Sequence, residues 1–242
     1  MARSRTAPRK TLAAAAILVA AGVSPAARGQ SIQTVAGGGT DDGRLATEVR
    51  LGSPSGMARM PDGALVFADR SAHRIRRVDP ATGRISTLAG NGVGAFAGDG
   101  GAASAASFSG PSALLVHDGG LLVADAQNGR IRRIELSTLK VSTWAGGGDA
   151  LGDGGPARNA RFDCPVGLAR DAVGILVADA CAQRIRRVDA TTGVVSTIAG
   201  TGEYGFSGDG GPAVAARIGN PRAVAVDGAG NVLLVDGLAL RV

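Results

Sequence analysis

Apolar residues in this chain come in short runs, and the runs come in pairs. The first of each pair covers 54–58, 111–116, 165–169 and 221–226, and opens on a Pro. The second covers 64–68, 121–124, 174–178 and 232–235. Each run is only four to six residues long, rich in Val, Ile and Leu, and bounded by Gly, Pro or Asp. A helix of that length could not bury a face, so the pattern predicts β-strands. A third strand follows from a basic–apolar cluster, and a fourth from the stretches 85–90, 141–146 and 195–200.

The cluster repeats. Asp69 leads to Arg74-Ile75-Arg76-Arg77, Asp125 to Arg130-Ile131-Arg132-Arg133, and Asp179 to Arg184-Ile185-Arg186-Arg187, at spacings of 56 and then 54 residues. A fixed period of this length marks a repeat architecture. Four short strands per period make one four-stranded antiparallel blade, and a single blade cannot bury both faces of its sheet. The expected fold is therefore an all-β propeller.

A glycine loop opens each copy: Gly98-Asp99-Gly100-Gly101, Gly152-Asp153-Gly154-Gly155, Gly208-Asp209-Gly210-Gly211, and a worn form at Asp42-Gly43. With Pro-x-Gly-apolar-Ala, Ala-Asp-x-x-x-x-Arg-Ile-Arg-Arg-Val-Asp and Thr-Gly-x-apolar-Ser-Thr-apolar-Ala-Gly, the pattern resembles the NHL repeat. It is most similar to the secreted bacterial variety that carries a Gly-Asp-Gly-Gly-Pro-Ala loop between blades. The resemblance covers nearly all of 32–242 and implies about six blades in a whole propeller. Family membership by itself says little about function.

Residues 1–29 read differently. Arg3, Arg5, Arg9 and Lys10 form a basic start, 11–23 an apolar stretch, and Ala27-Arg28-Gly29 a small-residue cleavage site. This predicts a secretory signal peptide and a secreted or periplasmic bacterial protein, with no membrane span after cleavage. The propeller is then expected over 30–242, with an orphan outer strand at 31–37 and repeats at about 38–90, 91–146, 147–200 and a partial 201–242. The Asp236-to-Arg241 spacing matches the cluster, which would align Val242 with Ile185. The expectation is three complete blades plus a partial fourth, a fragment of a larger propeller.

Removing 1–29 changes the electrostatics. The full chain carries 26 Lys and Arg against 20 Asp and Glu; five of the basic residues and none of the acidic ones lie in that segment. The remainder is close to neutral. With only 3% aromatics to stack bases, nucleic acid is not an expected partner.

Candidate chemistry is sparse. Each recurrent Asp ends its second strand, where a carboxylate can accept the amides of the following turn, and the Arg five residues later can bond it. Asp69–Arg74, Asp125–Arg130, Asp179–Arg184 and Asp236–Arg241 are thus expected as structural pairs, since sites break a repeat's symmetry rather than follow it. The alternative makes the four Asp metal ligands around a rim. The glycine loops supply tight turns, their Asp meeting exposed amides. They lack the Gly-Lys-Ser/Thr of a phosphate loop and the alternating carboxylates of a calcium loop. His73 and His117 occupy non-equivalent turn and strand-end positions. No catalytic, cofactor-binding or metal residue is assigned, and no cofactor is expected. Cys164 precedes one strand and Cys181 follows the next, at the same end of an antiparallel blade, so a disulfide is expected in an oxidising compartment. The leading function is a non-enzymatic exported scaffold presenting loops to a protein or glycan. The alternatives are a propeller lyase or lactonase with an incomplete axial metal site, and a structural module of a larger envelope protein.

Overall fold

A computed structural model describes residues 42–237 and 239–242. The expected signal peptide and the strand at 31–37 lie outside the described residues. Strands occur where the apolar runs place them. The first blade is β1 (Pro54–Arg59), β2 (Leu65–Asp69), β3 (Arg74–Val78) and β4 (Ile85–Ala89). The second is β5 (Pro111–His117), β6 (Gly120–Asp125), β7 (Arg130–Glu135) and β8 (Val141–Gly146). The third is β9 (Pro165–Arg170), β10 (Gly174–Asp179), β11 (Arg184–Asp189) and β12 (Val195–Ala199). The fourth has β13 (Pro221–Val226), β14 (Val232–Asp236) and β15 (Ala239–Arg241). These form three four-stranded sheets and one three-stranded sheet, each antiparallel and in sequence order. They are four blades of a β-propeller.

The second strand of a blade is apolar at consecutive positions because both of its faces are covered, which is unusual for an antiparallel strand. On β6, Leu121 and Val123 pack with Val66, Ala68 and Ile75 of blade one. Leu122 and Ala124 point the other way and pack with Ile175 and Val177 of blade three. Leu176 and Ala178 repeat the arrangement towards Val224 and Leu234 of blade four. The core is thus a series of wedges between blades. One bulky residue ahead of each inner strand, Phe108, Phe162 or Ile218, plugs each wedge.

Inner strands pack on one another in the order β1, β5, β9, β13; β13 has no comparable packing on β1 among the described residues. Gly56 and Gly167 permit this approach. A Cβ on Gly56 would lie 2.6 Å from the Ala113 Cα, and one on Gly167 3.2 Å from the Ala223 Cα. Ser55 and Ser112 add side-chain hydrogen bonds to the next blade, donating to Pro111 O at 3.3 Å and Pro165 O at 3.1 Å.

Candidate functional site

The recurrent Asp residues are all buried: Asp69, Asp125, Asp179 and Asp236 are at most 3% exposed. Their hydrogen bonds come from an unexpected direction. Gly52 N and Ser53 N donate to Asp69, Ser109 N to Asp125, Asp163 N and Cys164 N to Asp179, and Gly219 N to Asp236. These amides belong to the segment entering the first strand of the same blade, not to the turn after the Asp. The carboxylate pins the inner strand's start to the end of the second strand. Burial pushes the Asp125 carboxyl up, and pushes Asp179 up to about 6.

The expected Arg partners need correction in three blades. Arg74 donates instead to Asn91 O, Arg130 to Asn128 O, and Arg184 to Ala182 O and Thr201 O. Arg130 stands directly opposite Asp125 in the ladder, yet its guanidinium lies over the Phe96 ring, 4.1 Å from the centroid. The arginine that reaches Asp125 is Arg132, at 3.4 Å and fully buried. Arg241 does bond Asp236, at 3.1 Å, but it occupies Arg132's place. Asp236 pairs with Ala239 and Leu234 with Arg241, just as Asp125 pairs with Arg130 and Val123 with Arg132. The fourth blade's turn is two residues shorter, so equal spacing concealed a shifted register. Val242 therefore does not align with Ile185.

The set Arg76, Arg132, Arg186 and Arg241 meets the glycine loops. Each bonds the loop Asp: Arg76 to Asp42, Arg132 to Asp99, Arg186 to Asp153, and Arg241 to Asp209. The last three also donate to the carbonyl two residues before that Asp, at Ala97, Leu151 and Ser207. The loops themselves lie along the outer edge of the fourth strand. Gly100 N donates to Val141 O and Val141 N to Gly101 O; Gly154, Val195 and Gly155 repeat the exchange in blade three. Asp99 also accepts from Thr143 N and Thr143 Oγ1. Thr143 and Arg132 thereby hold its carboxyl below the usual value against the opposing effect of burial. Positive φ values at Gly98 (89°) and Gly100 (83°) explain the glycines. An edge that could pair with another chain is closed.

His73 occupies the left-handed position of its turn (φ 54°) and accepts a hydrogen bond from Gly110 N at Nδ1. His117 ends β5, and burial, together with Arg170, holds its pKa down. The described residues contain no cluster of His, Cys, Asp and Glu able to hold a metal ion. The Cys164–Cys181 disulfide is formed, with Cα atoms 5.1 Å apart.

That disulfide lines a cavity of about 630 Å3 on the propeller axis, walled by the inner strands of all four blades. Its walls include Ser55, Ser112, Met57, Leu114, Leu168 and Val224, and its ionisable groups are Arg70 and Arg222, with Asn220 beside them. Three of these depart from the repeat. Arg70 stands where the second and third blades have Ala126 and Ala180, Arg222 where the others have Ser55, Ser112 and Val166, and the disulfide occurs in the third blade alone. Sequence reading passed over both arginines; comparing the repeats position by position would have found them.

No family model matches the sequence. Over 100 residues the chain is 38% identical to Protein SUPPRESSOR OF QUENCHING 1, chloroplastic, from Arabidopsis thaliana, covering 41% of this chain and 9% of that protein. Among solved structures, a protein of unknown function from Bacteroides thetaiotaomicron aligns with TM-score 0.62 and 19% identity, over 77% of this chain and 46% of that one. An auxiliary nutrient binding protein from the same organism aligns with TM-score 0.55 and 19% identity, over 75% of this chain and 44% of that one. The chain spans less than half the length of each. At these identities the structural likeness establishes the β-propeller fold.

Proposed function

We propose that this chain is the propeller region of an exported, non-enzymatic binding scaffold of the NHL-repeat type, receiving its partner, a protein or a glycan, at the axial cavity and the loops around its mouth. One observation carries this reading. The carboxylates and arginines that follow the repeat are occupied with backbone amides, carbonyls and each other, whereas three departures from the repeat, Arg70, Arg222 and the Cys164–Cys181 disulfide, line one cavity. The disulfide supports an oxidising compartment, as does the signal-like segment 1–29.

The test is expression in a bacterial host, followed by mass spectrometry of the product's N-terminus and a thermal-shift screen of the exported protein against glycans, peptides and lactones, with each compound analysed for conversion. The expected product begins near Gln30 and gains stability with a binder that it leaves chemically unchanged. A cytoplasmic product retaining Met1 defeats the export reading. Conversion of a lactone or other screened compound defeats the non-enzymatic one.

A further inference from the structure

Resting on that reading, we propose that the axial cavity is a recognition site for an organic anion with an apolar body, its negative group held between Arg70 and Arg222. Nine arginines of the described residues form ion pairs with Asp or Glu. Arg70 and Arg222 form none, and neither guanidinium donates a hydrogen bond among the described residues; exposed Arg44, Arg50, Arg59, Arg158 and Arg170 are alike in this, but these two share one concavity. Both side chains are exposed, yet both line the same concavity, whose lining holds no carboxylate. Two uncompensated cations on one concave surface add up to a positive potential there. A guanidinium also presents several donors in a plane, which suits a carboxylate, sulfonate or phosphate group.

The positions are as informative as the charges. Arg70 follows the buried Asp69 at a point where the second and third blades carry buried alanines, Ala126 and Ala180. Arg222 is the second residue of β13, at the end of the axis where the inner strands begin. The two come from the first and fourth blades, so one anion between them would tie the ends of the described arc together. Below them the exposed apolar surface is chiefly Met57, with Val166 and Leu168 half-buried beside it and the disulfide at one side, while Leu114 and Val224 are already buried in the cores between blades. Met57 is 63% exposed although it faces the axis rather than the outside. A wholly polar anion would leave this surface wet. An anion carrying a hydrocarbon chain or ring covers it and gains from its burial.

Isothermal titration of the purified protein with octanoate tests the site, with 1-octanol and octylamine as neutral and cationic counterparts and inorganic phosphate as an anion lacking an apolar body. Saturable binding of octanoate is expected, stronger than that of phosphate, 1-octanol or octylamine, and weakening as ionic strength rises. Arg70→Ala and Arg222→Ala should each weaken it about tenfold or more, the scale of one charge-assisted hydrogen bond. Arg70→Lys should keep part of the affinity. Both alanine variants should melt like the parent, since neither side chain supports the fold. Octanoate bound equally by the double variant, or octylamine bound as well as octanoate, overturns the proposal. So does the absence of saturable binding of both octanoate and phosphate, which still leaves the scaffold reading open through the loops. Chemical conversion of bound octanoate has the opposite meaning: the anion site stands and the non-enzymatic reading falls.

Discussion

Arg132 on the third strand of its blade meets Asp99, in the loop that leads into that blade, at 2.6 Å, with the arginine side chain wholly buried. The guanidinium also donates to Ser107 O, Ala97 O and Asp125 Oδ2. One side chain therefore joins the edge loop, the segment entering the inner strand, and the end of the second strand. A buried cation is tolerated only with such compensation; the same partners recur around Arg241, and around Arg186 without the bond to the second-strand Asp.

Arg132→Ala is expected to act as a folding mutation. It leaves Asp125 without its cation and Ser107 O without a donor, at a cost of about 3–5 kcal/mol, the range for breaking a buried pair. Arg132→Lys should recover only part of this, because an ammonium cannot span the same fork of acceptors. Urea denaturation of the two variants gives the comparison; a stability loss below about 1 kcal/mol in the alanine variant contradicts the role assigned here.

Asp179 links stability to pH. Burial, with the neighbouring Asp163, pushes its carboxyl up to about 6 from an ordinary 3.8, although the amides of Cys164 and Asp163 pull against this. The folded protein therefore holds a proton that the unfolded chain has lost between about pH 4 and pH 6. Stability from this group falls as pH rises through that window. Asp179→Asn removes the titration. On acidification from pH 7 to pH 5, the parent should gain stability relative to the variant; parallel melting curves for the two proteins would show otherwise.

The Cys164–Cys181 bridge spans a sequence separation of 17. A loop of that size is worth about 3 kcal/mol by restricting the unfolded chain. Because Cys164 N and Asp163 N hold Asp179, the Cys164→Ser/Cys181→Ser protein should also show faster amide exchange at these two positions. Equal melting temperatures with and without reductant would reject the contribution.

Gly56 sits where two inner strands come closest. A Cβ there meets both Ala113 Cα and Ser112 O at 2.6 Å, so Gly56→Val should destabilise by about 1–3 kcal/mol through overpacking between blades. Gly228 has nothing within 4 Å of a Cβ, and Gly228→Ala should be neutral within about 0.5 kcal/mol. A neutral Gly56→Val would mean that the first two blades do not approach as described.

The fold was legible because blade strands are short, apolar and bounded by turn residues, and because the pattern recurs. The disulfide was legible from the two cysteines' places at one end of an antiparallel blade, together with the oxidising compartment that the N-terminal segment implies. What sequence could not show was partner choice over distance. Arg132 and Asp99 are separated by 33 residues, and Arg130 is an equally plausible partner for Asp125 until its side chain is seen over Phe96. Arg241 shows a different limit: a turn shortened by two residues preserves an Asp-to-Arg spacing while moving the arginine to another rung. The candidate site was missed for a physical reason too. Arg70 and Arg222 belong to no motif; a position-by-position comparison of the repeats marks them as departures, and the concavity they share shows what joins them.

The edge loops have a consequence for how such a protein grows. The loop that seals a sheet's outer strand lies upstream of that sheet, as Gly98–Gly101 lies ahead of β5 and closes β8. The self-sufficient unit of duplication is therefore the sheet together with the loop before it. A segment that begins just ahead of the glycine loop and runs through the fourth strand carries its own cover for the outer edge, so one more blade adds no bare edge to the array.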